Sequence, residues 1–270
     1  MNNKQFKTYG IALGVVVLIF ISVAVANSAG YRFTSKGFVK AGSLEIFVEK
    51  SGSKIFVDNE KEATTSKDNE TVTIRNISPG SHDLLISKDG FWPWIKQISV
   101  KKEELKKLNS FMVRTDAQGV IIPEADPEYD SIISKLESTT VPTKSDPKIS
   151  NDSRASVWVE GQTVYYKWDG PKEEALANLC GKNTESEECA SVVIFRGTEN
   201  IANLDFYSSR NDVISLSTSN GIFAIEANTE SVQNFQPIYK GTSIGPKFFI
   251  DKIDNLLYAK DGNLLMIINI

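Results

Sequence analysis

Few side chains in this sequence combine reactive chemistry with a useful spacing. Cys180 and Cys189 are the only cysteines, and they flank the polar segment GKNTESEE. In an oxidising compartment they would close a small loop, worth about 2–3 kcal/mol from loop entropy. Two free thiols are the alternative. A zinc site needs more ligands, and His82, the single histidine, is far away along the chain. His82 itself has no nucleophile or acid at a triad-like spacing, so a turn-adjacent ring with hydrogen-bonded nitrogens is expected. Gly241-Thr242-Ser243-Ile244-Gly245 fits G-x-S-x-G. However, Pro246 and a strand-like Lys247-Phe248-Phe249-Ile250 follow it, and no histidine comes after Ser243. A nucleophile elbow needs strand–turn–helix and a later histidine, so a turn is expected here. Glu124, Asp126, Glu128 and Asp130 lack the glycine and closing glutamate of a calcium loop. No catalytic residue, cofactor or metal is therefore expected. Trp92 and Trp94 flank Pro93. On an alternating strand they share a face, either as an aromatic platform for a glycan or protein partner or as that strand's core.

The elements that must position these residues begin with Tyr9 to Ala26, YGIALGVVVLIFISVAVA. No charge occurs between Lys7 and Arg32. A run of roughly 18 apolar residues is long enough to span a bilayer as a helix. An uncleaved signal anchor is the leading reading. A cleaved signal peptide, with Ala24-Val25-Ala26 as its site and Asn27 as the new terminus, is the second, but the apolar core exceeds the usual 7–15 residues. Lys4 and Lys7 before the segment against Arg32, Lys36 and Lys40 after it leave orientation open by charge. Export of the rest of the chain is expected. The net charge of −4 and the scattered lysines argue against nucleic acid as a partner. The stretch Lys101 to Leu108, KKEELKKL, is a candidate for a short surface helix.

From about Gly30 to Thr115, apolar and polar residues alternate with period two, as in half-buried strands. Turns are expected at Ser78-Pro79-Gly80-Ser81 and Lys88-Asp89-Gly90. The residues Ile55, Val57 and Asp58, then Ile77, Pro79, Gly80, His82 and Leu84, then Lys88, Gly90 and Phe91 resemble the signature of the PEGA domain. After Asp58 the sequence reads NEKEATTS, without that family's Gly-rich turn and proline. The resemblance implies a small β-sandwich of bacterial and archaeal surface proteins, and carries no catalytic residues.

Prolines at 123, 127, 142 and 147 mark a connector with one short helix expected around Pro127 to Leu136. Beyond it, three strand–turn–strand units centre on Gly161-Gln162, Asn220-Gly221 and Asp261-Gly262. They lie 59 and 41 residues apart, an average of about 50, in the range of propeller blades, and Asp261-Gly262-Asn263-Leu264-Leu265 resembles a blade-loop repeat. The expected fold is mainly β. Residues 1–29 form an N-terminal tail and transmembrane helix, and 30–115 a PEGA-like β-sandwich. Residues 116–153 form the connector, and 154–270 a set of propeller-like antiparallel repeats. The last strand, Leu264 to Ile270, would lack an outer neighbour. Cover by the connector or first module, and self-association or a protein partner, are both open. The function expected is non-enzymatic binding or scaffolding by a single-pass cell-membrane protein with extracytoplasmic modules. An enzyme acting on carbohydrate or by hydrolysis with a site on β loops, and a regulatory subunit of a transenvelope complex, are the alternatives.

Overall fold

The computed structural model describes residues 3–34, 37–116, 119–175, 189–241 and 245–270. The chain divides into two compact units, one of residues 1–84 with 97–110 and one of residues 85–96 with 111–270.

The first unit opens with helix α1, Asn3–Ser28. Its side chains are described from Ala12 onward, and there Leu13, Leu18, Ile19 and Phe20 are all exposed. Among the described residues no helix is long and apolar enough to cross a membrane. A two-stranded hairpin follows, β1 (Tyr31–Thr34) with β2 (Gly37–Lys40). β3 (Gly42–Val48) is the centre of a three-stranded sheet. β4 (Lys54–Val57) and β5 (Glu60–Thr64) form a tight hairpin whose two loop residues, Asp58 and Asn59, have φ of 50° and 68°. Positive φ at both central positions is the twist-matched I′ geometry that Asp and Asn tolerate.

β6 (Thr71–Ile77) pairs antiparallel with β3. β7 (Gly80–Ser87) and β8 (Trp94–Val100) complete a sheet of order β5-β4-β7-β8. β9 (Leu105–Ser110) runs parallel to β3, with Ser43 opposite Leu105 and Val48 opposite Ser110. The helix expected over Lys101 to Leu108 is thus a turn and a strand. Its Lys, Glu and Leu residues are good helix formers, but propensity is a weak local preference, and the edge of β3 offers a full ladder of backbone partners, so the tertiary pairing wins. Leu108 and Ser110 are buried by that pairing. Both larger sheets bury alternate residues, among them Leu44, Ile46, Val72, Ile74, Leu84 and Ile98.

In the second unit, β10 (Val120–Ile121) precedes helix α2 (Tyr129–Ser138). Asp126 accepts the Glu128 N–H at 2.9 Å ahead of that helix, and Asp130 lies in its first turn, where the dipole favours an acid. Three four-stranded antiparallel sheets follow. The first contains β11 (Lys148–Ile149), β12 (Ala155–Glu160), β13 (Thr163–Trp168) and β14 (Val192–Arg196). The second contains β15 (Asn203–Phe206), β16 (Val213–Thr218), β17 (Gly221–Glu226) and β18 (Phe235–Lys240). The third contains β19 (Lys247–Asp251), β20 (Leu256–Asp261) and β21 (Leu264–Asn269).

The fourth strand of the last sheet is β10, with Val120 opposite Ile267 and Ile121 opposite Met266. Ile122 N–H extends the pairing to Leu265 O at 2.9 Å. Of the two covers expected for this edge, the connector supplies one, which removes a row of unpaired backbone groups. Ile132 and Leu136 of α2 pack on Leu265 beside it. Between the first and second sheets, Val157, Tyr166, Leu204, Phe206, Ile214 and Leu216 form one apolar core, and Cys189 is buried in it. Cys180, its expected disulfide partner, lies outside the described residues.

Candidate functional site

The residues singled out for chemistry do not converge on one place. In the first unit, His82 Nδ1 lies 2.6 Å from Asp58 Oδ2 and Nε2 lies 2.6 Å from Ser78 O. Asp58 Oδ1 also accepts the Asp83 N–H at 3.0 Å. Asp58 and His82 thus meet, and they tie the β4–β5 loop to the start of β7. This matches the expected turn-adjacent histidine with both nitrogens engaged. Burial works to raise the Asp58 carboxyl, but the His82 bond, the Asp83 N–H and the His82 charge together hold it below the usual carboxylate value.

A group depressed in the folded state contributes stability above its unfolded value, and that contribution fades as pH falls through the folded value. The side chain is half exposed, so solvent screening limits the contribution to under about 1 kcal/mol. Asp58→Asn is therefore expected to lower the melting temperature at pH 7, and that difference is expected to shrink as pH falls below the ordinary carboxylate value. A deficit that does not change with falling pH would overturn the assignment.

Ser243 and its neighbours 242–244 lie outside the described residues. The acidic set at 124–130 forms no metal cluster, since no group of three potential ligands occurs among the described residues.

The aromatic pair separates. Gly90, at φ 82°, completes the turn after Lys88, and Phe91 N–H returns to Lys88 O at 3.2 Å. Trp92 N–H donates to Val113 O at 2.8 Å, and Thr115 N–H to Gly90 O at 3.0 Å. Pro93 has no N–H to continue a ladder, and β8 starts only at Trp94. Alternation therefore does not hold across 92–94. Trp92 is 39% exposed while Trp94 is 1% exposed. The expectation of a shared face is corrected here, and Trp94 is not part of any binding surface.

Trp94 instead joins a buried polar network on the second sheet. Its Nε1 donates to Glu226 Oε2 at 3.2 Å, and Lys96 Nζ donates to Glu226 Oε1 at 2.6 Å. Lys96 also reaches Asn228 O at 3.2 Å. Asn234 donates its N–H to Glu226 at 2.9 Å and exchanges two bonds with the Ile95 backbone at 3.0 and 2.9 Å. Gln236 accepts Val113 N–H at 2.7 Å and donates to Pro93 O at 3.2 Å. Lys96 and Glu226 are almost completely buried, a costly arrangement unless every donor and acceptor is matched. The matching fixes the segments around Trp92 and Val113 against β17 and β18. Sequence alone hides this network, because neither residue has a neighbour along the chain that marks it.

Those segments and β18 enclose a cleft of about 560 Å³. Trp92, Phe223, Pro237, Ile238 and Tyr239 line its apolar side. Arg114, Asp116, Asn220 and Lys240 contribute polar groups. Arg114 holds Asp116 through paired bonds of 3.2 and 3.3 Å, and this bond with the guanidinium charge keeps the Asp116 carboxyl below its ordinary range. Tyr239 donates its hydroxyl to the buried Asp261 at 2.9 Å. On the neighbouring surface Phe235 stacks against Phe223 at 4.8 Å and against Phe195 at 5.8 Å, so much of the face of Phe235 is occupied. Trp92 is exposed, and no aromatic ring among the described residues stacks on it. An apolar wall with a few convergent polar groups is the usual form of a small-ligand site.

No family model matches the chain, and no curated protein matches it. Among solved structures it is similar to a protein of unknown function from Bacteroides fragilis, described as a candidate membrane-associated protein. The match covers 84% of this chain and 97% of that one, at 11% identity and a TM-score of 0.22. Similarity of that degree says nothing about fold or chemistry here.

Proposed function

We propose that this is a non-enzymatic binding protein of the cell envelope, held in the membrane by α1, with its β units outside the cytoplasm. The first unit is read as a PEGA-like sandwich. The three four-stranded sheets of the second are read as propeller-like blades, the last completed by β10. The observation that carries the binding role is the cleft around Trp92, held open by the matched Lys96–Glu226 network. The ligand class that fits best is a saccharide of the envelope. A sugar ring presents an apolar C–H face for an indole and vicinal hydroxyls for planar polar groups such as Asn220 and the Arg114–Asp116 pair.

The anchor reading rests on the run from Tyr9 to Ala26 and on the exposure of apolar side chains along the described part of α1. A helix that is apolar all round needs a non-aqueous surrounding.

The test is titration of the full chain, in detergent, with envelope-derived oligosaccharides and separately with envelope protein extracts, followed by calorimetry. Saccharide binding is expected, and Trp92→Ala is expected to weaken it roughly tenfold or more, as for a central aromatic anchor. Binding that survives Trp92→Ala unchanged would remove the cleft as the site. Binding of the protein extract alone, lost in Trp92→Ala, would keep the cleft and replace the saccharide by a protein partner.

A further inference from the structure

The hairpin immediately after α1 has a feature that the cleft does not use. Cross-strand pairing sets Tyr31 opposite Lys40 and Phe33 opposite Phe38. Because side chains alternate along a strand, Tyr31, Phe33, Phe38 and Lys40 share one face. Phe33 is 75% exposed and Phe38 49% exposed. Their rings meet edge to face at 5.4 Å, a favoured aromatic geometry. Two large exposed aromatics side by side are not the ordinary scatter of a soluble surface.

The hairpin is held in place by its other face and its ends. Arg32 Nε donates to Asn76 O at 2.9 Å, and Ala41 N–H donates to Gly30 O at 2.8 Å. Lys40 pairs with Glu103 at 2.8 Å. The aromatic face is therefore presented by the fold rather than by a loose tail.

Its position along the chain identifies what it meets. The apolar run ends at Ala26, the helix ends at Ser28, and β1 begins at Tyr31. The run from 9 to 26 spans about 27 Å, close to the thickness of the hydrocarbon core. From Ser28 to Tyr31 the chain extends at most about 11 Å. The interfacial layer beyond the hydrocarbon is roughly 5–8 Å deep on each side. Aromatic rings with a polar handle and lysines collect in that layer, the rings at headgroup level and the ammonium directed toward water.

We infer that the face made by Tyr31, Phe33, Phe38 and Lys40 rests in the headgroup layer of the bilayer that α1 enters. This inference depends on the anchor reading of α1. It adds a second, fold-determined contact that restrains the first β unit near the membrane surface. A helix alone would leave that unit free to swing on the residues after Ser28.

The experiment uses the full chain reconstituted in phosphatidylcholine vesicles. Added tryptophans are read as differences from the unsubstituted protein, which has four of its own. Phe33→Trp reports the hairpin and Val17→Trp reports the middle of α1. Lipids brominated near the headgroup end of the acyl chain and lipids brominated near its terminus serve as shallow and deep quenchers. Phe33→Trp is expected to shift to the blue and lose emission with the shallow quencher, and Val17→Trp to lose emission with the deep one. Adding Phe38→Asp to Phe33→Trp is expected to abolish the shallow quenching. If Val17→Trp is quenched and Phe33→Trp is not, the hairpin contact is overturned and the anchor stands. If neither is quenched, the anchor reading falls and takes the hairpin contact with it.

Discussion

Lys96→Met is expected to destabilise the second unit by roughly 3–5 kcal/mol, the usual loss when one partner of a buried ion pair is removed. The side chains are similar in length, so packing changes little. What remains is the Glu226 carboxylate, buried beside Trp94 and Asn234 without its cation. A buried charge left without its partner has no attraction to offset its desolvation. Glu226→Gln added to Lys96→Met removes the stranded charge and still accepts the Asn234 N–H, so the double variant should recover much of the stability. Urea unfolding followed by tryptophan fluorescence, to which the Glu226-bonded indole of Trp94 contributes, measures both variants. Equal losses in the single and double variants would mean that the stranded charge is not the cause. The same network positions the segment that carries Trp92, so the single variant should weaken ligand binding as well.

Gly221→Ala carries the other large effect. Gly221 has φ 136°, a region that L side chains rarely adopt, and a Cβ there would lie 2.0 Å from Tyr239 O and 2.7 Å from Gly241 N. Both neighbours are backbone, so β18 itself must move, and it carries Pro237, Ile238 and Tyr239 of the cleft wall. A loss of at least about 3 kcal/mol is expected, at the upper end for single substitutions. Gly262→Ala is the internal comparison. Gly262 has φ 60° and nothing within 4 Å of the added carbon, so only the backbone penalty of about 1–2 kcal/mol applies. Urea midpoints of the two variants should differ clearly. Similar midpoints would show that close approach of β18 is not what requires glycine at 221.

The contrast between these glycines shows what could be read in advance. Asn220-Gly221 and Asp261-Gly262 looked alike as hairpin signals. In the structure Gly262 is a loop residue between the paired Asp261 and Leu264, whereas Gly221 is already paired with Thr218 and the loop is Ser219-Asn220. A dipeptide signals that the chain reverses; which residue occupies the turn depends on the strand that packs beside it. Similarly, KKEELKKL has a pattern compatible with a helix, and β3 draws its second half into a parallel strand.

The alternating residues by themselves determined that this is a mainly β protein, because a half-buried strand needs period-two alternation wherever it lies. The strand pairs expected around Gly161-Gln162, Asn220-Gly221 and Asp261-Gly262 are present as β12 with β13, β16 with β17 and β20 with β21. The apolar run near the start determined a helix, since no strand-like alternation interrupts it. Tertiary structure alone decided that β10 covers β21, that Trp92 faces solvent while Trp94 is buried, and that Lys96 meets Glu226. The physical reason is common to all three. Each depends on which distant backbone edge or buried charge lies opposite, and local propensity contains no record of a partner 130 residues away.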